Sequence, residues 1–202
     1  MDENLVKILS DVKLLPIIRC KDANKVKDTA LALIEGGVKI LEINVETPEI
    51  YYAIEEISKY ATVCAGGIIT ALQADSAIQA GAKLFSSPIF QMNLVKFSNN
   101  QRIPFIAGTS TANEAYEAWK AGVQMIKIYP IEAMGGVSYL QNIMRPMKFL
   151  NILPVGNVKL NEVSDYIKAG ASAVGVGRDL INGYSPAEIT KRVKKALGGL
   201  KD

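Results

Sequence analysis

The sequence predicts an α/β fold: a single (β/α)8 TIM-barrel domain over residues 1–202 with a short N-terminal helix. Three observations carry this. Short apolar runs of strand length alternate with amphipathic stretches of helix length along the whole chain, eight pairs in all. A helix end, a glycine and the start of a strand recur as one motif at Gly37, Gly81, Gly122 and Gly170, at intervals of about 45 residues, or two βα units. No linker or low-complexity segment interrupts the rhythm. Strict βα alternation with short loops gives a parallel sheet covered by helices, and eight units favour a closed barrel over the runner-up, a doubly wound open sheet.

Residues 1–14 read as a lead-in helix, with Leu5, Leu9 and Val12 at helical spacing. The first strand is expected over residues 15–20, then a helix from about Asp22 to Glu35 that closes at Gly36-Gly37. The second strand covers residues 40–44, and Pro48 is expected to open a helix to about Tyr60. Strand 62–66 and a helix ending at Gly81 follow, then strand 84–87, stopped by Pro88, and a helix over about 92–100. Strand 104–108 leads to Thr111 and Glu114, spaced as a capping box, and a helix to Gly122. The sixth strand is 125–129. After it come a Gly135-Gly136 turn, a helix to about Met144, strand 152–155, and a helix from Asn161 to Gly170. Strand 173–177 and a helix from Pro186 to about Leu197 complete the eighth unit.

Composition narrows the chemistry. A net charge of +3 is too small to argue for nucleic-acid or membrane binding, and the basic run Lys191–Lys195 reads as the solvated face of the last helix. There is no histidine, which excludes a His-based triad, a His general base and His metal ligands. Cys, Asp and Glu show no metal-ligand spacing. Cys20 and Cys64 lie far apart in apolar runs and are expected to be buried free thiols. The acidic start Met1–Asn4 lacks the apolar run of a secretory signal, and no stretch approaches the ~20 apolar residues of a membrane span, so a cytoplasmic protein is expected. Any chemistry must come from Lys, Glu, Asp, Arg or Tyr.

The sixth strand supplies the leading candidate. Alternation places Met125, Lys127 and Tyr129 on one face and Ile126 and Ile128 on the other. In the second strand Ile40, Glu42 and Asn44 share a face opposite Leu41 and Ile43, and in the first Arg19 shares a face with Ile17. If the aliphatic partners face the helices, Glu42 and Lys127 point into the barrel, with Arg19 near the mouth. A solvated lysine on an edge strand, and a carboxylate serving as a structural partner, are the ordinary readings of each residue alone. Several inward charges in one small barrel are costly to bury unless paired, and shift the balance to a site. A desolvated amine favours its neutral, nucleophilic form, so the chemistry expected is Schiff-base formation on a ketone by Lys127. Arg19 as a neighbouring cation supports the neutral amine, while Glu42 opposes it and shuttles protons.

A second constellation lies at the ends of the last two strands, around Gly156-Asn157 and Gly177-Arg178. Backbone amides there make an anion cradle at the usual phosphate location of such barrels, although turn glycines alone explain the residues equally well.

These residues resemble a known family, the 2-keto-3-deoxy-6-phosphogluconate (KDPG) and 4-hydroxy-2-oxoglutarate (KHG) aldolases. The resemblance covers nearly the whole chain. It rests on Gly36–Ile43 with its Leu-Glu-Ile, on Ser87-Pro88, on Ala107–Thr111, and on Ile126–Pro130 followed by Glu132. It implies a class I, metal-free aldolase without a cofactor, cleaving KDPG or a close 2-keto sugar acid to pyruvate and glyceraldehyde 3-phosphate. By the same resemblance Lys127 is the Schiff-base lysine and Glu42 the acid/base. Arg19, Gly67, Pro88, Tyr129, Gly156, Asn157, Gly177 and Arg178 then contact the substrate. The assembly it implies is a homotrimer.

The chain departs from the family pattern in four places. Gly67 stands where many relatives have a threonine that holds the pyruvyl carboxylate, and Glu46 stands where some have arginine. Val155-Gly156-Asn157 replaces Thr-Gly-Gly, a change shared in part with the related phosphogalactonate aldolases, whose pattern also has Val at this position. Arg178 replaces a serine and retains the capacity to bind phosphate bidentately. Two other readings compete with the aldolase: a phosphosugar isomerase or epimerase on the same barrel, and a non-catalytic or altered-substrate sugar-acid-binding relative.

Overall fold

The protein is described here by a computed structural model covering residues 5–200. The expected barrel is present. In chain order the elements are α1 (Leu5–Val12), β1 (Leu14–Ile18), α2 (Ala23–Glu35), β2 (Ile40–Asn44), α3 (Ile50–Ile57) and β3 (Thr62–Gly66). Next come α4 (Ala71–Gln79), β4 (Leu84–Ser86), α5 (Met92–Gln101), β5 (Phe105–Thr109), α6 (Ala112–Lys120) and β6 (Met125–Ile128). The chain continues through α7 (Ile131–Met134), α8 (Gly136–Met144), β7 (Ile152–Pro154), α9 (Val163–Lys168), β8 (Val174–Val176), α10 (Arg178–Ile181) and α11 (Pro186–Gly199).

The strands form one parallel sheet in the order β7-β6-β5-β4-β3-β2-β1-β8. Its two ends meet. Val155, just past β7, bridges Gly175 of β8, and the Ser172 amide donates to the Ile152 carbonyl at 2.9 Å. Glycine is required at this seam, because a Cβ on Gly175 would stand 2.6 Å from Val155 and 2.8 Å from Ile17.

Alternation along the strands sorts the apolar residues into two cores. Leu41, Ile43, Ile126 and Ile128 face the helices in the outer core, while Ile40, Cys64, Leu84, Ile106, Met125 and Leu153 fill the barrel interior. Leu9 of α1 belongs to the inner core and is fully buried. The four repeated glycines, Gly37, Gly81, Gly122 and Gly170, all have φ near +100° (+102°, +99°, +88° and +106°). That left-handed turn lets each helix end and the next strand begin, and it explains the repeat read from the sequence.

Several boundaries differ from expectation. The lead-in helix covers residues 5–12; its expected first turn falls on residues 1–4, outside the described residues. The first strand stops at Ile18, so Arg19 and Cys20 belong to the loop above it. Pro48 does not open α3: Thr47 and Pro48 form the preceding turn, accepting from Ile50 and Tyr51 at 3.1 and 3.2 Å, and the helix proper starts at Ile50. The segment after β6 contains a short helix, α7, separated from α8 by Gly135 at φ +119°, and α10 is a further short helix after β8. The turn expected to begin a helix at Asn161 is a 3-10 turn over Leu160–Glu162.

The basic run on α11 is not simply a solvated face. Val193 within it is fully buried, and Arg192 turns back to donate to the Asp179 carbonyl (2.7 Å) and to cover the Tyr184 ring. Both cysteines are free, but Cys20 is only half-buried. No helix among the described residues is long and apolar enough to cross a membrane.

Candidate active site

Lys127 and Glu42 meet inside the barrel. They come from β6 and β2, with side chains 6% and 1% exposed, and Lys127 Nζ lies 3.1 Å from Glu42 Oε1 and 3.3 Å from Oε2. Burying two charges costs several kcal/mol per ion, and the cost is offset only where the pair is close and its remaining hydrogen-bonding capacity is satisfied. Here it is satisfied. Ser86 Oγ of β4 accepts from Lys127 Nζ at 3.1 Å and donates to Glu42 Oε2 at 2.8 Å. The three ammonium protons therefore have three acceptor oxygens within reach.

The strand ladder explains why these side chains converge. Glu42 is in register with Cys64 of β3 and Ile17 of β1, and Lys127 with Gly108 of β5. Cys64 Sγ reaches Glu42 Oε2 weakly, at 4.0 Å. Burial first, and the Glu42 carboxylate second, push the Cys64 thiol well above its ordinary range, outweighing the opposite pull of Lys127 and Ser86. It is a neutral donor, not a nucleophile. Gly66 leaves the room Glu42 needs: a Cβ there would collide with Asn44 and come within 2.5 Å of Glu42 Oε1.

A polar relay joins this pair to the rim. The Asn44 carboxamide, oriented by its hydrogen-bond partners, donates from Nδ2 to Glu42 Oε1 at 2.9 Å and accepts at Oδ1 from Nε and Nη2 of Arg19, both at 2.9 Å. Arg19 also lies 3.5 Å from Glu46, with the two side chains 56% and 30% exposed. Arg19 is thus connected to Lys127 through Asn44 and Glu42, and its charge faces Glu46.

Above the pair, a cavity of about 720 Å³ opens at the C-terminal ends of β1, β6, β7 and β8. Arg19, Tyr129, Gly156, Asn157, Gly177 and Arg178 all line it, so the structure brings six of the sequence-derived binding candidates together. Val155 and Glu132 line it as well. Gly156 and Asn157 both have positive φ (+116° and +56°), and Asn157 Nδ2 donates to Glu132 Oε2 at 3.2 Å. Lys127 and Glu42 are not on this wall; Tyr129, two residues past Lys127, and Ile17, the register partner of Glu42, are. Ser110 fixes the end of β6 by donating to the Tyr129 carbonyl at 2.8 Å.

Gly67 and Pro88 lie elsewhere on the rim, at the ends of β3 and β4, and do not line the cavity. Pro88 packs against Gly108, the register partner of Lys127, where any Cβ would strike the Pro88 carbonyl. Among the described residues no group of three or more His, Cys, Asp or Glu is placed to hold a metal.

Sequence reasoning missed Ser86 as a partner of the charged pair and gave Asn44 and Cys64 no role at the site. Their inward direction was readable from alternation with Leu84, Ile40 and the β3 pattern. Their meeting with Glu42 depends on register between strands.

Known proteins resemble this chain over nearly its whole length. The family model for KDPG and KHG aldolase matches residues 5–195. The chain belongs to the KDPG and KHG aldolase family. The 2-dehydro-3-deoxy-phosphogluconate aldolase of Dickeya dadantii is 32% identical over 202 residues, covering 96% of this chain and 94% of the relative. The KHG/KDPG aldolase of Escherichia coli K12 is 31% identical over 203 residues, covering 96% and 95%. Among solved structures, the 2-keto-3-deoxy-6-phosphogluconate aldolase of Zymomonas mobilis ZM4, determined with 3-phosphoglycerate, superposes with a TM-score of 0.87 at 25% identity, covering 95% of this chain and 94% of that one.

Proposed function

We propose that the chain is a class I, Schiff-base aldolase that cleaves KDPG, or a close 2-keto sugar acid, to pyruvate and glyceraldehyde 3-phosphate. The observation that carries this reading is the buried Lys127–Glu42 pair beneath a mouth lined by hydrogen-bonding groups. Family membership supports the reaction class.

Each step is assigned to these groups by the chemistry they can perform. Lys127, once its proton has passed to Glu42, attacks the substrate C2 ketone, and Glu42 returns a proton to the departing hydroxyl as the iminium forms. The iminium accepts the electron pair of the C3–C4 bond when Glu42 withdraws the C4 hydroxyl proton. The enamine left behind is protonated at C3 and hydrolysed, freeing pyruvate and Lys127. The iminium supplies the electron sink, so the sequence of steps calls for no metal or cofactor. Arg178, Asn157 and the Gly156 and Gly177 backbone are suited to the phosphate end, Tyr129 to the wall of the pocket and Arg19 to the pyruvyl end, while a substrate contact by Gly67 or Pro88 rests on the resemblance alone.

The Arg19–Glu46 ion pair favours one variation on this reading. With a carboxylate beside Arg19, the pyruvyl anchor differs from that of relatives with arginine at this position, and the preferred acid differs with it. The chain is taken to act as one barrel domain in the cytoplasm and to assemble as a homotrimer. Exposed Ile69, Leu72, Ile89 and Met92 on the neighbouring β3–α4 and β4–α5 segments support association, which sedimentation in solution measures.

The decisive test is incubation with pyruvate and borohydride. A reduced adduct on the Lys127 peptide is expected, absent in Lys127→Met, and folded wild type that forms no adduct refutes the aldolase. A coupled assay for pyruvate release across 2-keto sugar acids, with and without a terminal phosphate, then assigns the substrate.

A further inference from the structure

Among the described residues, Ser86 is the one uncharged side chain hydrogen-bonded to both charged groups. Ser86 stands two residues past Leu84 and in register with Ile106, both of the apolar barrel interior, and is itself fully buried. A buried hydroxyl is costly unless it is hydrogen-bonded, and this one is bonded on both sides: it accepts from Lys127 Nζ at 3.1 Å and donates to Glu42 Oε2 at 2.8 Å. We propose that Ser86 is a further catalytic residue, a proton relay between the Lys127 nitrogen and Glu42. The inference rests on the aldolase reading.

The step balances. An ammonium N–H bond of Lys127 breaks and its electron pair stays on nitrogen as the nucleophilic lone pair. The proton binds Ser86 Oγ as the serine's own proton passes to Glu42 Oε2, so the serine ends unchanged and the carboxylate becomes a carboxylic acid. In the reverse direction the relay reprotonates the nitrogen when the pyruvate iminium is hydrolysed. Direct contact between Nζ and Glu42 also exists, but it serves poorly once nitrogen carries the substrate. The carbinolamine nitrogen has a single N–H, while Glu42 is also required at the substrate hydroxyls. Oε1 is the oxygen held by Asn44 and Oε2 the oxygen held by Ser86. Through Ser86, Oε2 stays in contact with the nitrogen proton while Oε1 serves the substrate. After the transfer the lone pair lies along the Nζ–Oγ line, and rotation about the Cε–Nζ bond turns it to the carbonyl carbon.

The test compares wild type, Ser86→Ala and Ser86→Thr by rapid quench of the pyruvate adduct with borohydride, alongside a wild-type proton inventory in H2O/D2O mixtures. Expected results are adduct formation slowed about tenfold or more in Ser86→Ala, with little change in pyruvate affinity. Ser86→Thr, which keeps the hydroxyl, should recover most of the rate, and the wild-type inventory should curve as two protons in flight require. Adduct formation at the wild-type rate in Ser86→Ala, or a linear inventory, overturns the relay and leaves the aldolase reading intact. No wild-type adduct at Lys127 overturns both. If Ser86→Ala does not fold, the wild-type inventory decides alone.

Discussion

At the scale of single residues, the site divides into a buried pair, Lys127–Glu42, to which the proposed chemistry is assigned, and a partly exposed rim pair, Arg19–Glu46. Glu42 has both oxygens engaged, Oε1 by Asn44 and Lys127 and Oε2 by Ser86 and Lys127, so its carboxylate is held before substrate arrives. Glu42→Gln keeps the shape and removes the proton acceptor. The expected outcome is a fall in kcat of about 10²–10⁴-fold with a much smaller change in KM, read from steady-state pyruvate release. Glu46 acts differently. It is 3.5 Å from Arg19, both partners are partly exposed, and exposed pairs of this kind contribute roughly 0.2–1 kcal/mol. Glu46→Gln frees the guanidinium for an acidic substrate, and KM should fall by up to about fivefold at unchanged kcat. An unchanged or higher KM removes Glu46 from substrate selection. Lys127 and Glu42 were legible in the sequence because a two-residue period is written within one strand. Ser86 and Asn44 were not legible as their partners, because contact among β2, β4 and β6 depends on barrel closure and strand stagger, which no single strand encodes.

At the scale of elements, the units around the mouth are defined by their helix starts. Thr70 with Gln73, Thr111 with Glu114, and Ser185 with Glu188 each form a reciprocal capping box at the first turn of α4, α6 and α11. The α6 box sits beside Ser110, whose hydroxyl holds the Tyr129 carbonyl, so it also steadies the end of the lysine strand. Thr111→Ala should cost about 1 kcal/mol in urea unfolding. The Glu114 carboxyl is held below its ordinary 4.5 first by the Ser110 and Thr111 amides, against an opposing effect of burial, with the Thr111 hydroxyl adding least. A carboxyl lowered on folding stabilises above its unfolded value, and the stabilisation is lost as pH falls through the folded value. Wild type should therefore exceed Glu114→Gln in stability at pH 7, with the difference vanishing on acidification below 4.5; a difference independent of pH would deny the charged cap. The α6 box was readable because capping is local. α7 and α10 were not: each is only four residues long, too short for a periodic pattern, and each is set by what the loop must cross. Pro48 misled for the same reason, because Thr47 and Pro48 form a turn before Ile50 instead of opening the helix.

At the scale of the molecule, the barrel separates the end packed by α1 from the end that carries the cavity and the Lys127–Glu42 pair. Lys127 and Glu42 each stand two residues beyond an inward aliphatic residue, Met125 and Ile40, and the cavity lies beyond them at the strand C-termini. At the opposite end α1 sets Leu9 into the inner core, with Val6, Ile8 and Val12 packed against that core, and Lys13 Nζ ties the following turn to the Leu200 carbonyl at 2.8 Å. This helix lies outside the eight βα units, yet it contributes a side chain that is completely buried. Leu9→Ala removes apolar volume from a site walled by strands that are hydrogen-bonded to both neighbours and are poorly able to collapse. The expected cost is about 2–5 kcal/mol in urea unfolding. Because the interior is packed in layers, that loss should not reach the pair toward the strand C-termini. Borohydride trapping of pyruvate at Lys127, measured where the variant is fully folded, should proceed at the wild-type rate. A variant that loses stability and trapping rate together would mean that the two ends are mechanically coupled, and that α1 tensions the site through the strands that carry Glu42 and Lys127.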